Sequence, residues 1–377
     1  MRGMGAKKKV LYVASTFGHL ATFHQPYMEW FARQGWSVHA AAGGEPCKLK
    51  GVERYLSIPL EKSMFSPKNL AAAHALRQLM QKEHYRMLSL HTSLAAYFTR
   101  LAVLSMGKYR PVVMNTAHGY LFDRDTARAK RTLLLAAERM TAPVTDWLLT
   151  MNRQDTEIAR RYGLGKTIVP TDGMGVDLSR FIPPAPAERE EVRAHLGIKP
   201  TEVAMVYAAE FSGRKNQAVL IEALRDLPEN TVLLLPGRGE LREQCRHLAG
   251  QAGVMERVHF PGFVRDMETY YRAADICVSA SRSEGLPFNV MEAMACGLPV
   301  IASDVKGHQD LVRSGENGLL YPFGDKKAFV DAVKTLLEPE KRRSMGESAR
   351  KSVQRFGMET VFPELTAIYE KAAKGFR

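Results

Sequence analysis

The feature that most constrains the fold is an alternation of short apolar, β-rich runs with helical segments. The run KKVLYVAS has the character of a buried strand, and the helical segment QPYMEWFARQG follows it and ends at Gly35. The residues between them, FGHLATFH, are predicted to form a loop, and WSVHAAAG is predicted to form the second strand. Because parallel strands are connected by crossover helices, this order predicts parallel sheets with helices on both faces.

The same alternation continues to the end of the chain with one interruption. Pro183, Pro184 and Pro186 stand within four residues and precede a charged helix, which is typical of a linker. We therefore predict two doubly wound domains of similar size, with limits at 1–180 and 181–355, and a C-terminal helix at 356–377 that packs back on the first domain. The further strands are predicted at 86–91, 111–119, 146–152, 166–170, 201–212, 231–239, 257–264, 274–281, 298–304 and 318–323.

The length and composition agree with two globular α/β domains. The chain has 377 residues, of which 45% are hydrophobic and 25% charged, so long disorder is not expected. Its four cysteines form no CxxC pair, which argues against a disulfide framework or a zinc site and favours a reducing cytosol. The basic N-terminus is followed by too short an apolar run for a signal peptide, and no stretch is long enough to span a bilayer. We expect a cytoplasmic protein.

The positive charge is concentrated in the first half. Residues 1–178 hold 25 Lys and Arg against 13 Asp and Glu, whereas residues 179–377 hold 28 against 27. The imbalance favours a polyanionic partner for the first half, such as an anionic membrane face or a lipid diphosphate. Two basic and apolar stretches, 68–86 and 124–140, could rest on a membrane, although packed amphipathic helices explain them equally well. Nucleic acid is a weaker alternative, because no recognition motif or aromatic interleaving accompanies the charge.

Ligands of doubly wound sheets bind outside the carboxyl ends of the strands, so the loops there are informative. Arg214 and Lys215 follow a strand and precede a helix, where cations suit a diphosphate, although a solvated pair explains them as well. Gly237 and Gly239 form a GxG after the run TVLLL, which is a weak signal by itself. The third glycine of a dinucleotide fingerprint is absent, which counts against an NAD-binding oxidoreductase. Backbone groups in FPGFVRD could contact a base edge.

The segment SRSEGLPFNVMEAMACGLPVIASD carries the most specific signal. Glu284 lies in a loop and Glu292 on the helix that follows, and Gly285 and Pro287 shape the turn between them. Amides after Glu284, from Leu286, Phe288 and Asn289, would form a helix N-terminus, which is an anion site. A carboxylate one to two turns into such a helix can accept hydrogen bonds from a vicinal diol such as ribose. Two unrelated surface glutamates would not need this glycine and proline scaffold.

At these residues the chain resembles the retaining glycosyltransferases with the GT-B fold, particularly family four. Glu284 and Glu292 match the E-x7-E motif of that family, and the likeness extends over most of the chain. It is closest to bacterial enzymes that build exopolysaccharide, capsule or lipid-linked oligosaccharide. The matching segments are EGLPFNVMEAMACGLPVIASDVKGHQDLV, HTS at 91–93, TAHG at 116–119, MNRQDTEIARRYG, GVDLSRF, RKNQ, FPGFVRDM and NGLLYPFGD.

The resemblance implies the GT-B fold, two Rossmann-like domains facing across a cleft, and a role for each matched residue. Lys215 and Arg214 would neutralise the donor diphosphate, Glu292 would hold the ribose hydroxyls, and Glu284 would contact the transferred sugar. Many relatives have an arginine five residues before the lysine, where this chain has Glu210. The donor-binding residues implied are Arg214, Lys215, Gly237, Gly239, Val264, Glu284, Gly285, Leu286, Pro287, Phe288 and Glu292, with the glycines leaving room for the nucleotide and the backbone near Val264 contacting the base.

In the first half, Gly18 and His19 follow the first strand, where relatives carry a glycine-containing acceptor loop. His118 corresponds to the family histidine near the C6 hydroxyl of the sugar, and we interpret it as catalytic together with Glu284 and Lys215. A lone histidine at a strand end is more often structural, and His91 is given a structural or acceptor-side role.

Taken together, these residues predict transfer of a hexose or N-acetylhexosamine, with retention of configuration, from a nucleotide sugar. The nucleotide is expected to be UDP, and the acceptor a lipid-linked or other glycan. Positive charge near Lys215 would stabilise the departing diphosphate, so that no metal and no cofactor is expected. The location expected is the cytoplasm, including the inner face of the plasma membrane. A non-catalytic member of the fold or an NAD-binding protein stays open as an alternative.

Overall fold

The computed structural model describes residues 7–61, 63–123 and 126–375. The chain divides into two compact units, one of Met1–Met174 with Val361–Arg377 and the other of Gly175–Thr360. The first six residues of the basic N-terminus, Arg124 and Asp125 of the second amphipathic stretch, and residues 376–377 lie outside the described residues. The domain limits expected from the sequence stay a prediction.

The first unit is built on a seven-stranded parallel sheet in the order β3-β2-β1-β4-β5-β6-β7. Its first strand is fully buried from Val10 to Ala14, which explains the uninterrupted apolar run in the sequence. The strands are β1 (Lys9–Thr16), β2 (Ser37–Gly43), β3 (Arg54–Ser57), β4 (Met87–His91), β5 (Val112–Ala117), β6 (Trp147–Thr150) and β7 (Thr167–Pro170). The sequence did not predict β3, because this edge strand has exposed ends and no apolar run.

Helices connect these strands as crossovers. The helices of the unit are α1 (Phe17–Phe23), α2 (Gln25–Arg33), α3 (Pro67–Glu83), α4 (Ser93–Leu104), α5 (Arg128–Thr141) and α6 (Arg153–Tyr162). The predicted loop at 17–24 is wrong, because residues 17–23 form α1. Thr16 stabilises the start of α1, since its hydroxyl accepts a hydrogen bond from the amide of His19 at 3.2 Å. Phe17 and Leu20 lie one turn apart and are both buried.

The second unit contains a six-stranded parallel sheet in the order β10-β9-β8-β11-β12-β13. Its strands are β8 (Val203–Val206), β9 (Thr231–Pro236), β10 (Val258–Gly262), β11 (Ile276–Ser279), β12 (Val300–Ser303) and β13 (Gly318–Tyr321). Its helices are α7 (Pro186–His195), α8 (Gln217–Ala223), α9 (Arg242–Gln251), α10 (Met267–Ala273), α11 (Phe288–Ala295), α12 (His308–Leu311), α13 (Lys326–Leu336) and α14 (Pro339–Ser352). The predicted α/β class with two doubly wound sheets is confirmed.

A final helix, α15 (Met358–Lys374), returns to the first unit from Val361 onward. The ring of Tyr369 is fully buried, with its centroid 5.3 Å from that of Phe31 and 5.9 Å from that of Tyr27. Near the end of the helix, the guanidinium of Arg86 donates to the carbonyl oxygen of Ala373 at 2.7 Å. Aromatic packing and a charged hydrogen bond therefore attach the C-terminal segment to the first unit.

Both sheets place candidate site residues by the same topological rule. The strand order reverses between β1 and β4 in the first sheet and between β8 and β11 in the second, and such switch points open a crevice at the carboxyl ends of the strands. Within the described part of the chain, none of the helices combines the length and the apolar composition required to cross a bilayer.

Candidate functional site

Backbone hydrogen bonds join three loops at the carboxyl edge of the second sheet. The amide of Phe211, after β8, donates to the carbonyl oxygen of Arg238, after β9, at 2.8 Å. The amide of Gly237 donates to the carbonyl oxygen of Gly262, at the end of β10, at 2.7 Å. These contacts fix the loops as a single surface, which positions any side chain that follows them.

Gly237 and Gly239 are required by this packing. A Cβ atom at Gly237 would lie 1.9 Å from the carbonyl oxygen of Ala209, and one at Gly239 would lie 2.2 Å from the carbonyl oxygen of Phe211. Any larger residue would force the loop after β9 away from the loop after β8. The two glycines thus have a structural reason within the unit, and their expected role in leaving room for a nucleotide stays a prediction.

Lys215 and Glu284 meet at the switch point between β8 and β11. The Nζ atom of Lys215 is 2.6 Å from Oε1 of Glu284, and Nη1 of Arg214 is 3.1 Å from Oε2 of the same carboxylate. Arg214 also donates to the carbonyl oxygen of Ser283 at 3.0 Å. Because β8 and β11 are neighbouring parallel strands, the loops that follow them lie side by side. The predicted pair Arg214 and Lys215 therefore forms one cluster with Glu284.

The electrostatics of this cluster keep Glu284 ionised. Burial opposes the charge, but the attraction of Lys215 and Arg214, with a smaller contribution from His308, lowers the pKa of Glu284 to about 2. Two cations share one carboxylate, so the cluster of these three side chains has a net charge of +1. Such a cluster can receive an anion such as a phosphate group if the cations turn from Glu284 toward it.

Glu210, which stands where many relatives have arginine, does not join this cluster as a direct partner in the described contacts. Its side chain is exposed, and its backbone carbonyl accepts a hydrogen bond from Nε2 of Gln217 at 2.9 Å. Arg214 is the residue that places a second cation beside Glu284. Because Glu210 is exposed, Arg214 and Lys215 pair with Glu284 and not with Glu210.

Two residues to which the sequence assigned no role lie near Glu284: Gly307 packs against it, and His308 is close enough to affect its pKa. Gly307 has a φ of 81°, and a Cβ atom there would lie 2.9 Å from Cβ of Glu284 and 2.8 Å from the carbonyl oxygen of Gly285. His308 is fully buried, and its Nδ1 is 2.8 Å from the carbonyl oxygen of Ser303. Both residues belong to the segment VKGHQ, which resembles the family without a residue-specific signal, and only the fold shows that they lie beside Glu284.

Glu292, on α11, has a different environment from Glu284. Its Oε2 accepts a hydrogen bond from the hydroxyl of Tyr271 at 3.0 Å. Burial raises its pKa to about 7, against the opposing effects of the Tyr271 hydroxyl and of Arg180, which itself pairs with Glu268. Within the described residues Glu292 has no direct ion-pair partner, so its carboxyl group can still bond to hydroxyl groups of a ligand. Tyr271 was not predicted from the sequence.

The turn before α11 is shaped as the sequence suggested. Pro287 occupies the N-cap position with a φ of −76°, and Leu286 is buried. The side chain of Pro287 makes no capping hydrogen bond to α11, which begins at Phe288. Gly285 packs against Gly307 through its carbonyl oxygen. The first turn of α11 therefore begins four residues after Glu284. The predicted anion site at its first amides stays a prediction.

The loop after β10 carries a partly exposed aromatic residue. Phe263 is 58% exposed, and the guanidinium of Arg238 lies 5.0 Å from its ring centroid. Val264 follows and is half-buried. An exposed aromatic ring beside an arginine could stack on a planar base, and the predicted contact of the base with the backbone near Val264 stays a prediction.

In the first unit, four histidines meet at the carboxyl ends of β1, β4 and β5. The rings of His24 and His91 are stacked with centroids 3.5 Å apart. Nε2 of His24 lies 3.4 Å from Nε2 of His19, and Nε2 of His118 lies 3.4 Å from Nδ1 of His91. The structure thus brings together the predicted residues His19, His91 and His118 and adds His24, for which the sequence contained no signal.

Burial keeps these histidines neutral. It lowers the pKa of His19 to about 4, and it places the pKa values of His24, His91 and His118 well below their usual range, with further lowering from the neighbouring rings. Gly18, the other predicted residue, lies exposed on α1, and the nearest atom to a Cβ there would be Oγ1 of Thr16 at 3.9 Å. Packing does not require a glycine at that position.

Known protein families match the N-terminal and the C-terminal parts of the chain separately. A family model described as "Glycosyltransferase Family 4" matches residues 27–180, and one described as "Glycosyl transferases group 1" matches residues 188–352. The chain is 35% identical over 369 residues to the "Putative glycosyltransferase EpsD" of Bacillus subtilis (strain 168), with 96% of each chain covered.

Two further similarities are informative. The chain is 25% identical over 296 residues to the "UDP-Gal:alpha-D-GlcNAc-diphosphoundecaprenol alpha-1,3-galactosyltransferase" of Escherichia coli, covering 76% of this chain and 75% of the relative. The fold of the present chain is similar to that of Anabaena Alr3699/HepE, which was solved in complex with UDP and glucose. The TM-score is 0.79 at 18% identity, and the match covers 96% of this chain and 99% of HepE. The chain therefore belongs to the group 1 glycosyltransferases, with the GT-B fold and an N-terminal part of glycosyltransferase family four.

Proposed function

We propose that this glycosyltransferase moves a hexose or N-acetylhexosamine from a UDP-sugar to a polyprenyl-diphosphate-linked or other glycan acceptor, with retention of configuration. The observation that carries the proposal is the cluster of Lys215, Arg214 and Glu284, in which two cations converge on one buried carboxylate at the switch point of the second sheet. The complex of the structurally similar HepE with UDP and glucose supports the choice of donor.

Each candidate site residue of the second unit has a distinct role in this proposal. Lys215 and Arg214 turn toward the diphosphate and stabilise the negative charge that develops as the bond to the sugar breaks. The amides at the start of α11, after Gly285 and Pro287, contact a phosphate oxygen. Glu284 accepts hydrogen bonds from hydroxyls of the transferred sugar, and Glu292 accepts them from the ribose.

The chemistry that we propose needs no covalent intermediate. The acceptor hydroxyl attacks the anomeric carbon on the face from which the diphosphate leaves, and its proton passes to the departing phosphate oxygen. His118 contacts the sugar, and Gly18, His19 and His91 are the proposed acceptor-side residues. The relative from Escherichia coli is named for transfer to a sugar on diphosphoundecaprenol, which supports a lipid-linked acceptor in cell-surface polysaccharide synthesis.

The test is a transfer assay with UDP-glucose, UDP-galactose, UDP-N-acetylglucosamine and UDP-N-acetylgalactosamine. Each donor is supplied with a polyprenyl-diphosphate-linked sugar, and the anomeric configuration of the product is read by NMR. We expect one donor to be used with retention, and Glu284→Gln to lower kcat/KM at least about 100-fold. Glu256→Gln, an exposed glutamate of the same unit, is the control.

Three outcomes would contradict the proposal. Inversion of the anomeric centre would refute the stereochemistry. Full activity in Glu284→Gln would remove the carboxylate from the site. If none of the four UDP-sugars stabilises the protein against heat or is turned over, the chain is a non-catalytic member of the family or uses another nucleotide.

A second proposal concerns attachment of the first unit to an anionic membrane at the inner face of the plasma membrane. Phe65, just before α3, is 80% exposed and Leu70 on α3 is 59% exposed, while Leu133 and Met140 on α5 are about half exposed. Exposed cations accompany them, namely Lys68, Arg128, Lys130 and Arg139. Apolar side chains among cations are the composition of a surface that binds anionic lipid.

Sedimentation with vesicles tests this attachment. We expect the protein to bind vesicles that contain phosphatidylglycerol and not vesicles of phosphatidylcholine alone, and the double variant Phe65→Ser with Leu133→Ser to lose most of the binding. Ile182→Ser, which changes an exposed residue of the second unit, is the control. Equal binding by the double variant and the control would contradict the proposed surface.

A further inference from the structure

The histidine cluster of the first unit has the geometry of a metal site. The side-chain nitrogens of His19, His24 and His118 all lie within 4.8 Å of one another. In a tetrahedral Zn²⁺ site with bonds of about 2.0–2.1 Å, two nitrogen ligands are about 3.4 Å apart. Nε2 of His19 and Nε2 of His24 are already 3.4 Å apart. Small side-chain rotations of His118 would complete a set of three ligands.

The surroundings of the cluster hold the ligands in place and leave one side accessible. His24 is fully buried and stacked on His91, whose Nε2 is 2.9 Å from the hydroxyl of Ser89. His19 and His118 are only partly buried, so an ion and its fourth ligand can reach the cluster from solvent. Nδ1 of His24 is buried without a hydrogen-bond partner among the described residues.

The chemistry of the ligand set selects the class of ion. Three imidazoles favour Zn²⁺, Cu²⁺ or Ni²⁺ over Mg²⁺ and Ca²⁺, which prefer oxygen ligands. Three histidines with an open fourth position form a site that can bind an ion and still accept an exchangeable ligand.

We propose that His19, His24 and His118 bind one divalent transition-metal ion of the Zn²⁺ class, and that this ion inhibits sugar transfer. The inhibition rests on the proposed function, because it follows from the withdrawal of His118 from the sugar. The binding does not rest on it, since only the three side chains are required. Zn²⁺ is thus an inhibitor at the acceptor side and not a cofactor for the diphosphate.

Titration of the metal-free, full-length protein with Co²⁺ tests the binding, with the visible absorption of tetrahedral Co²⁺ as the signal and Zn²⁺ as the competitor. We expect one ion per chain. His19→Gln and His118→Gln should each weaken binding at least about tenfold. His74→Gln, which changes an exposed histidine of the same unit, should leave it unchanged. Absence of stoichiometric binding, or equal binding by all three variants, would overturn the site.

A measurement on the unaltered chain tests the site even if the variants do not fold. Diethyl pyrocarbonate modifies accessible histidines, and mass spectrometry locates the modified residues. Saturating Zn²⁺ should protect His19 while His74 continues to react. Equal modification of His19 with and without Zn²⁺ would contradict the proposal.

The inhibition is tested separately in the transfer assay. Zn²⁺ should inhibit the unaltered enzyme at the concentration at which it displaces Co²⁺, and His19→Gln should need at least about tenfold more Zn²⁺ for the same fractional inhibition. If Zn²⁺ binds and transfer continues at its former rate, the inhibitory role is wrong. If no condition yields transfer, the proposed function fails, and the Co²⁺ titration still decides whether the site exists.

Discussion

The carboxyl edges of the two sheets have the same topology, but one carries charged side chains and the other carries neutral histidines. In the second unit, Lys215 and Arg214 hold an ionised Glu284, and Glu292 carries a second carboxyl group nearby in sequence. In the first unit, the corresponding edge holds four histidines that burial keeps neutral. The comparison teaches that the doubly wound fold supplies only the place for a site, and that the side chains after each strand decide whether it suits an anion or a neutral ligand.

Substitution of Lys215 should produce the largest difference between the two edges. Lys215→Ala removes a buried cation from the second edge, so we expect the dissociation constant of UDP to rise by about 10- to 100-fold. His118→Ala changes the neutral edge and should leave that constant within about twofold. Calorimetric titration with UDP measures both, and Lys327→Ala, an exposed lysine of the second unit, is the control. An equal loss in His118→Ala would break the comparison.

Glycine-to-alanine substitutions should lower the free energy of unfolding at the tightly packed edge of the second sheet and not at the edge of the first. Gly239→Ala places a Cβ 2.2 Å from the carbonyl oxygen of Phe211, and we expect the free energy of unfolding to fall by about 3 kcal/mol. Gly213→Ala, in the loop after β8 with no atom within 4 Å of the new Cβ, should change it by less than about 0.5 kcal/mol. In the first unit, Gly18→Ala should raise it by about 0.5–1 kcal/mol, because alanine favours the helix.

Urea unfolding of these three variants gives the free energies. A loss in Gly213→Ala as large as that in Gly239→Ala would show that the loop tolerates no Cβ anywhere, and the close approach at Gly239 would then explain nothing particular. Destabilisation by Gly18→Ala would show that this glycine is required in the first unit after all.

The pH dependence of stability should reveal the raised pKa of Glu292. The pKa is about 7 in the folded protein against an ordinary 4.5, so the folded state holds the proton more tightly than the unfolded chain. The contribution of this group is therefore fully present below pH 4.5 and is lost as the pH rises through 7. Between pH 5 and pH 8 the unaltered protein should lose on the order of 3 kcal/mol relative to Glu292→Gln.

Urea unfolding at several pH values measures this difference, with Glu256→Gln as the matched control because Glu256 is exposed in the same unit. Parallel curves for the unaltered protein and Glu292→Gln would show that burial does not perturb Glu292. The difference between the two carboxylates of the second unit, one held ionised and the other near neutrality, would then disappear.

A further expected effect concerns the hydroxyl of Tyr271. Tyr271→Phe removes the hydrogen bond to Oε2 of Glu292 and should lower the free energy of unfolding by about 1–2 kcal/mol at pH 8, where the carboxylate is ionised. Tyr270→Phe, at the neighbouring half-buried position, is the control. Equal stability of the two variants would mean that Tyr271 contributes packing alone.

Much of the fold could be predicted from the sequence, because the signals for strands and helices are local. The buried run that became β1 follows from its apolar residues, and the end of α2 shortly before Gly35 follows from the positive φ of that glycine. The edge strand Arg54–Ser57 lacks an apolar run and was missed. Residues 17–23 were wrongly predicted as a loop, because the capping hydroxyl of Thr16 and the buried pair Phe17 and Leu20 form too short a pattern to detect.

The candidate site was predictable only as separate parts. The sequence predicted Lys215 and Glu284 as site residues, but it could not show that their charges pair directly, since they are 69 residues apart in sequence. It could not identify Gly307, because its packing against Glu284 depends on where the loop after β12 passes. His24 and Tyr271 carry no local signal and acquire their contacts only in the folded chain.

By itself the sequence determined the α/β class, the two doubly wound sheets and the family, because periodicity, turn residues and an ordered set of motifs are properties of neighbouring residues. The tertiary structure decided which side chains meet and how they are charged. Parallel strands bring distant loops to one edge, where the neighbouring cations Lys215 and Arg214 lower the pKa of Glu284 despite its burial, whereas burial raises the pKa of Glu292. The same burial turns isolated histidines into a neutral cluster, since desolvation depends on the whole fold and on no short segment of it.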